Sequence, residues 1–397
     1  MSEMQSFSSP RKKAWLKFRS NGLAMAGLIF VIFVIFISLS GPLLRPDKSI
    51  SANNQQLLIS RQYPGFDCDF LKVKINAEIE KENWISAWLA GGFLPEYREI
   101  PLANYRFEGN EILITPFGTI DEERFALADV LFDLKSPPIK SGNSWEIETY
   151  TGSLVLSDSE LESRVLAENI IHRNFILGTD KYGRDLLSRL MAGSSISLAV
   201  GFIAVIISLL IGISLGAIAG YYGGWTDKLI MWLINVIWSI PTLLLVIAIT
   251  FAFGKGFWKV FLAVGLTMWV EVARVVRGQF LSLREKEYVE AGKVLGFSGT
   301  RIIFKHILPN AMGPVIVIAA ANFASAILIE AGLSFLGIGA QIPIPSWGNM
   351  IKEHYNLITT DLAYLAFIPG ICIMLLVLSF MLVGNGLRDA LDVKARL

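Results

Sequence analysis

Long apolar runs free of Asp, Glu, Lys and Arg recur along this chain, and they predict membrane-crossing helices. They cover residues 22–44, 190–226, 229–254, 307–329 and 362–387. Each meets the roughly 20 residues that a helix needs to cross about 30 Å of hydrocarbon. A sixth run, Phe257 to Ala273, carries Lys259 and Glu271 towards its ends. The pattern therefore predicts six transmembrane helices. Pro241 falls inside the third and predicts a kink there. The first run follows a basic stretch (Arg11, Lys12, Lys13, Lys17, Arg19) and resembles a signal peptide in outline. Its 23 residues exceed the roughly 7–15 of a signal h-region, so it reads as a retained anchor.

Residues 45–172 follow another pattern. FLKVKIN (70–76), EILITPFG (111–118) and SWEIETYTGSLVLS (144–157) alternate or are rich in β-branched residues and read as strands. Gly109-Asn110 marks a turn, and residues 83–92 read as a short helix with Trp84 and Trp88 on one face. The expectation is a small, mixed, β-rich domain inserted into an otherwise all-α polytopic membrane protein.

Composition sharpens the division. The 397 residues are 53% hydrophobic and only 17% charged, with a mean hydropathy of +0.53. Residues 45–172 hold 33 of the charges, 21 of them acidic. Intrinsic disorder is excluded, because it needs few apolar residues and much charge. A net charge of +1 excludes a basic nucleic-acid surface. Two distant cysteines, Cys68 and Cys372, exclude a disulfide scaffold. His172, His306 and His354 lie at no metal-ligand spacing, so no metal site is expected.

Orientation follows from basic residues in short loops. The first 21 residues carry five basic residues and one acidic, and residues 271–306 carry seven basic and four acidic. Arg388, Lys394 and Arg396 follow the last run. Six spans place all three regions on the cytoplasmic side and residues 45–172 outside.

The cytoplasmic stretch between the fourth and fifth spans is REKEYVEAGKVLGFSGTRIIFKHILPNAMGP (284–314). Tyr288, Val289, Ala291, Val294 and Leu295 share an apolar face at helical spacing. Gly296 is a helix stop, a second helix begins near Arg301, and Pro309 breaks or turns the chain. Such an amphipathic helix either lies on lipid or docks in a partner's groove.

The run Glu290-Ala291-Gly292, three residues, Gly296, then Leu308-Pro309 resembles the EAA loop of ABC importer permeases. Gly292 stands where that pattern has Ala, and His306 where it has Ile. Further segments resemble the dipeptide/oligopeptide/nickel branch, C-subunit type. They are WLKFRSNGLAMAGLIF (15–30), LGTDKYGRDLLSRLMAGSSISLAVG (177–201), GYYGGWTDKLIMWLINVIWSIPTLLL (220–245), ARVVRGQFLSLREKEYVEAGKVLG (273–296), EAGLSFLGIGAQIPIPSWGNMI (330–351) and GNGLRDALD (384–392). The resemblance covers residues 11–44 and about 173–392.

It implies a type I ABC importer fold and a bacterial inner-membrane location with both termini cytoplasmic. The chain divides into 1–44 (cytoplasmic N-terminus and first helix), 45–172 (extracytoplasmic insertion), 173–392 (five-helix core) and 393–397 (tail). The coupling loop is 274–309. The implied function is the permease subunit of an ATP-driven importer of di- or oligopeptides. The implied partners are a second, related permease, two cytoplasmic ATPase subunits that bind ATP and Mg, and an extracytoplasmic binding protein. Glu290, Ala291, Gly292, Gly296, Leu308 and Pro309 would couple to the ATPases. The chain has no G-x-x-x-x-G-K-[ST], so ATP hydrolysis belongs to other subunits, and no catalytic or cofactor-binding residue is expected here. Nickel or another small ligand, and microcin-type peptides, are alternative cargoes within the branch. A secondary transporter is the rival of another class, although no paired repeat or midplane charge supports it. A membrane-anchored adhesin or sensor is another, but it has no use for the 284–314 loop.

The remaining polar residues have structural readings. Gly178, Thr179, Asp180, Gly183, Arg184 and Asp185 form a signature outside the second span, read as a turn with an internal Asp–Arg pair rather than an anion site. Asp180 is also a cap for the helix that follows. Gly212, Gly216 and Gly220 recur at four-residue spacing and predict close helix packing. Glu271 and Arg274 are spaced to pair on one helix face. Glu330 is about 30 Å along a helix from Pro309, where it snorkels to the outer interface or makes a structural hydrogen bond.

Overall fold

The computed structural model describes residues 10–76, 83–141, 144–150, 152–254, 257–341 and 343–391. The expected tail at 393–397, with Lys394 and Arg396, lies outside the described residues. In chain order the elements begin with α1 (Pro10–Ser20), α2 (Gly22–Leu44), β1 (Phe66–Lys74), α3 (Trp84–Ala90), β2 (Tyr97–Glu108) and β3 (Glu111–Pro116). Next come β4 (Glu123–Ala126), α4 (Leu127–Leu131), β5 (Ile139–Ser141), β6 (Ser144–Thr149), β7 (Gly152–Ser157), α5 (Asp158–Arg164) and β8 (Ile170–Phe175). The helical remainder comprises α6 (Leu186–Tyr222), α7 (Gly224–Trp238), α8 (Thr242–Phe253), α9 (Phe257–Leu283) and α10 (Glu287–Val294). It ends with α11 (Gly299–Arg301), α12 (Leu308–Phe335), α13 (Trp347–His354) and α14 (Tyr364–Leu391). The chain forms two compact units, residues 39–192 with 356–365, and residues 1–38, 193–355 and 366–397.

In the first unit β1, β2, β3, β4 and β8 form an antiparallel sheet in the order β4-β3-β2-β1-β8. Gly109 turns β2 into β3 at φ +63°, where a two-residue hairpin loop needs a positive angle. Leu71, Ile100, Ile112 and Ile114 of this sheet share one core with Leu127 and Val130 of α4 and Ile147 of β6. The second sheet is β5-β6-β7. Ser157 and Glu160 close a capping box at the start of α5. β2 carries no clear strand signal in the sequence, because its tyrosines, arginines and glutamates do not alternate cleanly with apolar residues.

The second unit is helical. Among the described residues, four helical segments are long and apolar enough to cross a membrane: Gly22–Leu44, Leu186–Tyr222, Gly299–Phe335 and Tyr364–Leu391. The pair α7 and α8 makes a fifth if its two halves count as one span. The break between them is sharper than a kink: the helices bend by 93° at Ser239–Pro241. Pro241 has no N–H to continue α7, and its own ψ of 125° is extended. The second span stops at Tyr222 rather than 226, because Gly223 turns to φ +67°. α9 runs ten residues beyond the expected Ala273, to Leu283. Large apolar side chains such as Phe33, Ile32, Phe202 and Leu210 are more than half exposed, a distribution suited to lipid rather than water.

Candidate functional site

The loop that the sequence singles out folds as a short helix secured on one side. Lys286 holds an extended N-cap, and Glu287 and Glu290 lie in the first turn of α10, where carboxylates favour the helix dipole. Gly296 ends the helix at φ +74°, and Phe297 N–H reaches back to the Gly292 carbonyl at 3.0 Å. Val289 joins Val276, Phe280, Ile302, Ile303 and Ile307 in a buried core, and Gly292 is buried beside it. Glu290 and Ala291 are exposed; Val294 is 88% and Leu295 71% exposed. The apolar residues thus occupy two faces rather than the expected one. Val289 faces the chain's own core, while Ala291, Val294 and Leu295 are left open.

The ring of Phe297 ties the loop together. The Arg301 guanidinium lies 3.9 Å from its centroid, and the His306 ring stacks on it at 5.6 Å and 19°. Leu308 and Pro309 do not break the chain. Residues Ile302–Ile307 form a π turn in which Leu308 N–H donates to the Ile303 carbonyl. Pro309 then sits in the first turn of α12, where a missing N–H is harmless. Asn310 Nδ2 donates to the His306 carbonyl at 2.7 Å.

The 178–185 signature is a clasp. Asp180 Oδ1 accepts from the N–H groups of Tyr182 (2.8 Å) and Arg184 (3.0 Å), and Oδ2 accepts from Arg184 Nε (2.6 Å). Both side chains are buried. Arg184 Nη1 also donates to Asn53 Oδ1 at 3.1 Å. The clasp grips residues 56–62: Gln56 N–H donates to the Tyr182 carbonyl, Arg61 N–H to the Asp180 carbonyl, and Thr179 N–H to the Gln62 carbonyl. Gly178 and Gly183, at φ +75° and +70°, allow backbone of that segment to lie against them. The cap of α6 is Asp185 rather than Asp180, with Ser188 N–H donating to Asp185 Oδ2 at 2.8 Å. Burial pushes the Asp185 carboxyl above its usual range, opposed by the hydrogen bonds from Ser188 and reinforced by nearby Asp47.

Sequence reasoning missed the polar residues beside this clasp. Arg45, 2% exposed, donates Nε to the Asp47 carbonyl at 2.6 Å and Nη2 to the carbonyls of Gly91 (2.7 Å) and Ser49. Burial lowers its pKa against the pull of Asp47. Asp47 accepts from the N–H groups of Ser49 and Asn54, and its own N–H donates to Ser188 Oγ. The signal was present in Arg45-Pro46-Asp47, charges set directly against the end of an apolar run.

The glycine stripe of α6 faces α9. A β-carbon on Gly212 would meet Val272, one on Gly216 the Ala273 carbonyl, and one on Gly220 Phe280. The arginines of α9 engage neighbouring helices. Arg277 grips Asp227 of α7 through Nε and Nη2 at 2.5 and 2.7 Å. Arg274 does not pair with Glu271. It donates to Asn235 Oδ1 at 2.9 Å, with its guanidinium 3.6 Å over the Trp238 ring. Glu330 does not snorkel: it is 1% exposed and accepts from Ser334 Oγ at 2.6 Å. Of the histidines, His172 meets Asp69 at 2.8 Å, and His354 Nδ1 lies 2.8 Å from the Met350 carbonyl.

Residues 212–397 match the family described as "Binding-protein-dependent transport system inner membrane component". Residues 9–61 match the N-terminal TM domain of oligopeptide transport permease C. The chain is 44% identical over 219 residues to the dipeptide transport system permease protein DppC of Alkalihalophilus pseudofirmus, covering 55% of this chain and 72% of that protein. It is 41% identical, with the same coverage, to the oligopeptide transport system permease protein OppC of Bacillus subtilis. It is 40% identical over 220 residues to the glutathione transport system permease protein GsiD of Pectobacterium atrosepticum, covering 55% and 73%. Among solved structures it is similar to a chain of the inward-facing MetNI methionine ABC transporter, with a TM-score of 0.44 and 18% identity over 52% of this chain and 98% of that one.

Proposed function

This chain belongs to the inner membrane components of binding-protein-dependent transport systems, and from that premise we propose that it is one permease of an ATP-driven peptide importer. Relatives named for dipeptide and oligopeptide transport support the choice of cargo. α2, α6, the bent pair α7–α8, α9, the segment Gly299–Phe335 and α14 serve as six spans, with both termini in the cytoplasm. Residues 45–172 then form an extracytoplasmic domain containing strands. A second permease completes the pathway, a binding protein delivers the cargo, and two ATPase subunits hold ATP and Mg on the cytoplasmic side.

One observation carries the coupling role. α10 buries Val289 and Gly292 in the chain's own core and leaves Glu290, Ala291, Val294 and Leu295 open. A helix fixed on one face and bare on the other transmits a push received by the bare face. Open apolar residues rimmed by charge suit a groove on a protein partner. Glu290, Ala291, Val294, Leu295 and Gly296 supply that contact, Gly292 lies on the fixed face against Phe297 and Ile302, and Leu308 and Pro309 lead the motion into α12. The 178–185 clasp and the 212–220 glycine stripe hold the scaffold in place.

The test is to tag the full chain, extract it in mild detergent and identify what co-purifies in fixed ratio. A second permease with ATPase subunits is the expected result. A chain that purifies alone in several detergents would overturn the reading and return the secondary transporter to consideration.

A further inference from the structure

A cavity of about 230 Å³ opens beside the break between α7 and α8, and an acid, Glu271, lines it. Glu271 lies on its wall with Thr242, Thr267 and Ser325, among apolar neighbours that include Trp238 and Leu245. Glu271 is exposed. It stands 14 residues into the 27-residue α9, about 21 Å from the start at 1.5 Å per residue. Both nearby arginines on the same helix are engaged elsewhere, Arg274 by Asn235 and Trp238, and Arg277 by Asp227. Among the described residues, Glu271 has no ion-pair partner.

An ionisable residue at such a depth is costly unless it faces a cavity and meets an opposite charge. The cavity is smaller than the roughly 300–1,000 Å³ of sites that enclose a whole ligand. It therefore suits one end of a cargo in transit. We propose that Glu271 is a specificity residue of the pathway, presenting its carboxylate to the protonated amino group of a passing peptide. The hydroxyls of Thr242 and Ser325 replace part of that group's hydration, and Trp238 and Leu245 border the adjoining side chain. The assignment to an amino group rests on the peptide reading above; the placement of Glu271 on the cavity wall does not.

Two measurements separate these levels. The first is uptake of labelled trialanine by cells that rely on the intact complex, comparing wild type with Glu271→Gln and Glu271→Asp. The second introduces Ser325→Cys into a chain lacking Cys68 and Cys372. It compares the rates at which a cationic and an anionic methanethiosulfonate modify that cysteine. The expected result is a loss of at least about tenfold in uptake for Glu271→Gln, near-normal uptake for Glu271→Asp, and unchanged co-purification of the partner subunits. The cationic-to-anionic rate ratio should also fall severalfold when Glu271→Gln is added. Normal uptake in Glu271→Gln overturns the proposal, as does an unchanged rate ratio. Loss of the partner permease from Glu271→Gln makes the acid an intersubunit group instead, which also overturns it. If wild-type cells import no trialanine, the peptide reading fails and the ammonium assignment falls with it. The rate ratio then still decides whether Glu271 charges the cavity.

Discussion

Gly183 packs its α-carbon directly against the carbonyl of Gln56, so a β-carbon there would occupy the space of the oxygen. Its φ of +70° adds a conformational cost for any other residue. Gly183→Ala should therefore destabilise the 45–63 segment by about 3 kcal/mol, combining strain with a clash that backbone cannot relieve. Gly65→Ala is the control, because Gly65 has φ +82° but open space around its α-carbon. It should cost about 1 kcal/mol. Thermal unfolding in detergent, with proteolysis of the 45–63 segment, reads the difference. Equal costs would mean that the clasp is not closely packed.

The contact of α6 with α9 makes a second comparison. On Gly216 a β-carbon would lie 2.6 Å from the Ala273 carbonyl oxygen and 2.8 Å from Val276 Cβ. Gly216→Val should separate the helices, lowering stability by about 2 kcal/mol or more and transport with it. Gly278 of α9 is also helical but has nothing near it. Gly278→Ala should be neutral or stabilising by up to about 1 kcal/mol. A thermal shift on the purified complex distinguishes the two.

On α10 the open and buried faces should respond differently. Gly292→Ala places its methyl 3.4 Å from Phe297 and 3.9 Å from Ile302, which is ordinary contact. It should leave transport intact and stiffen the helix by about 1 kcal/mol. The double variant Glu290→Lys with Gly296→Trp should insert normally and yet separate ATP hydrolysis from uptake. Uptake at the wild-type rate in that variant would remove α10 from the coupling path.

Asp185 gives a pH dependence of definite sign. Burial raises its folded pKa above the unfolded value of about 3.9. Its contribution to stability is therefore fully present below that unfolded value and is lost as pH rises through the folded one. Asp185→Asn can still accept from Ser188 N–H, because Asn caps about as well as Asp, and it carries no charge. The variant should equal or exceed wild type in stability at pH 7, and this advantage should shrink as pH falls towards 4. Denaturation of the two proteins across that range checks the sign. An advantage that grows on acidification would show that the ionised carboxylate is the favoured form.

Much of the architecture was legible because its causes are local. Charge-free runs marked helices at 22–44 and 362–387, since a helix satisfies its backbone hydrogen bonds within its own segment. Gly296 as a helix stop and Gly109-Asn110 as a turn were readable for the same reason: φ and nearest neighbours decide them. The EAA-like run located α10 but assigned its apolar residues to one face. Only packing on Ile302, Ile303 and Phe280 separates Val289 from Val294 and Leu295.

The sequence alone determined where apolar chain must leave water, where turns fall and which segments carry the family pattern. Tertiary structure decided which charges find one another. Glu271 and Arg274 are spaced to pair, yet Arg274 turns to Asn235, 39 residues away, and Arg277 to Asp227, 50 residues away. Asp180 and Arg184 pair as their spacing suggests, but they close over Asn53, 131 residues from Arg184. Local spacing fixes only which partners are within reach. The preferred partner depends on which helix or loop is packed alongside, and that is settled by burial across the whole chain.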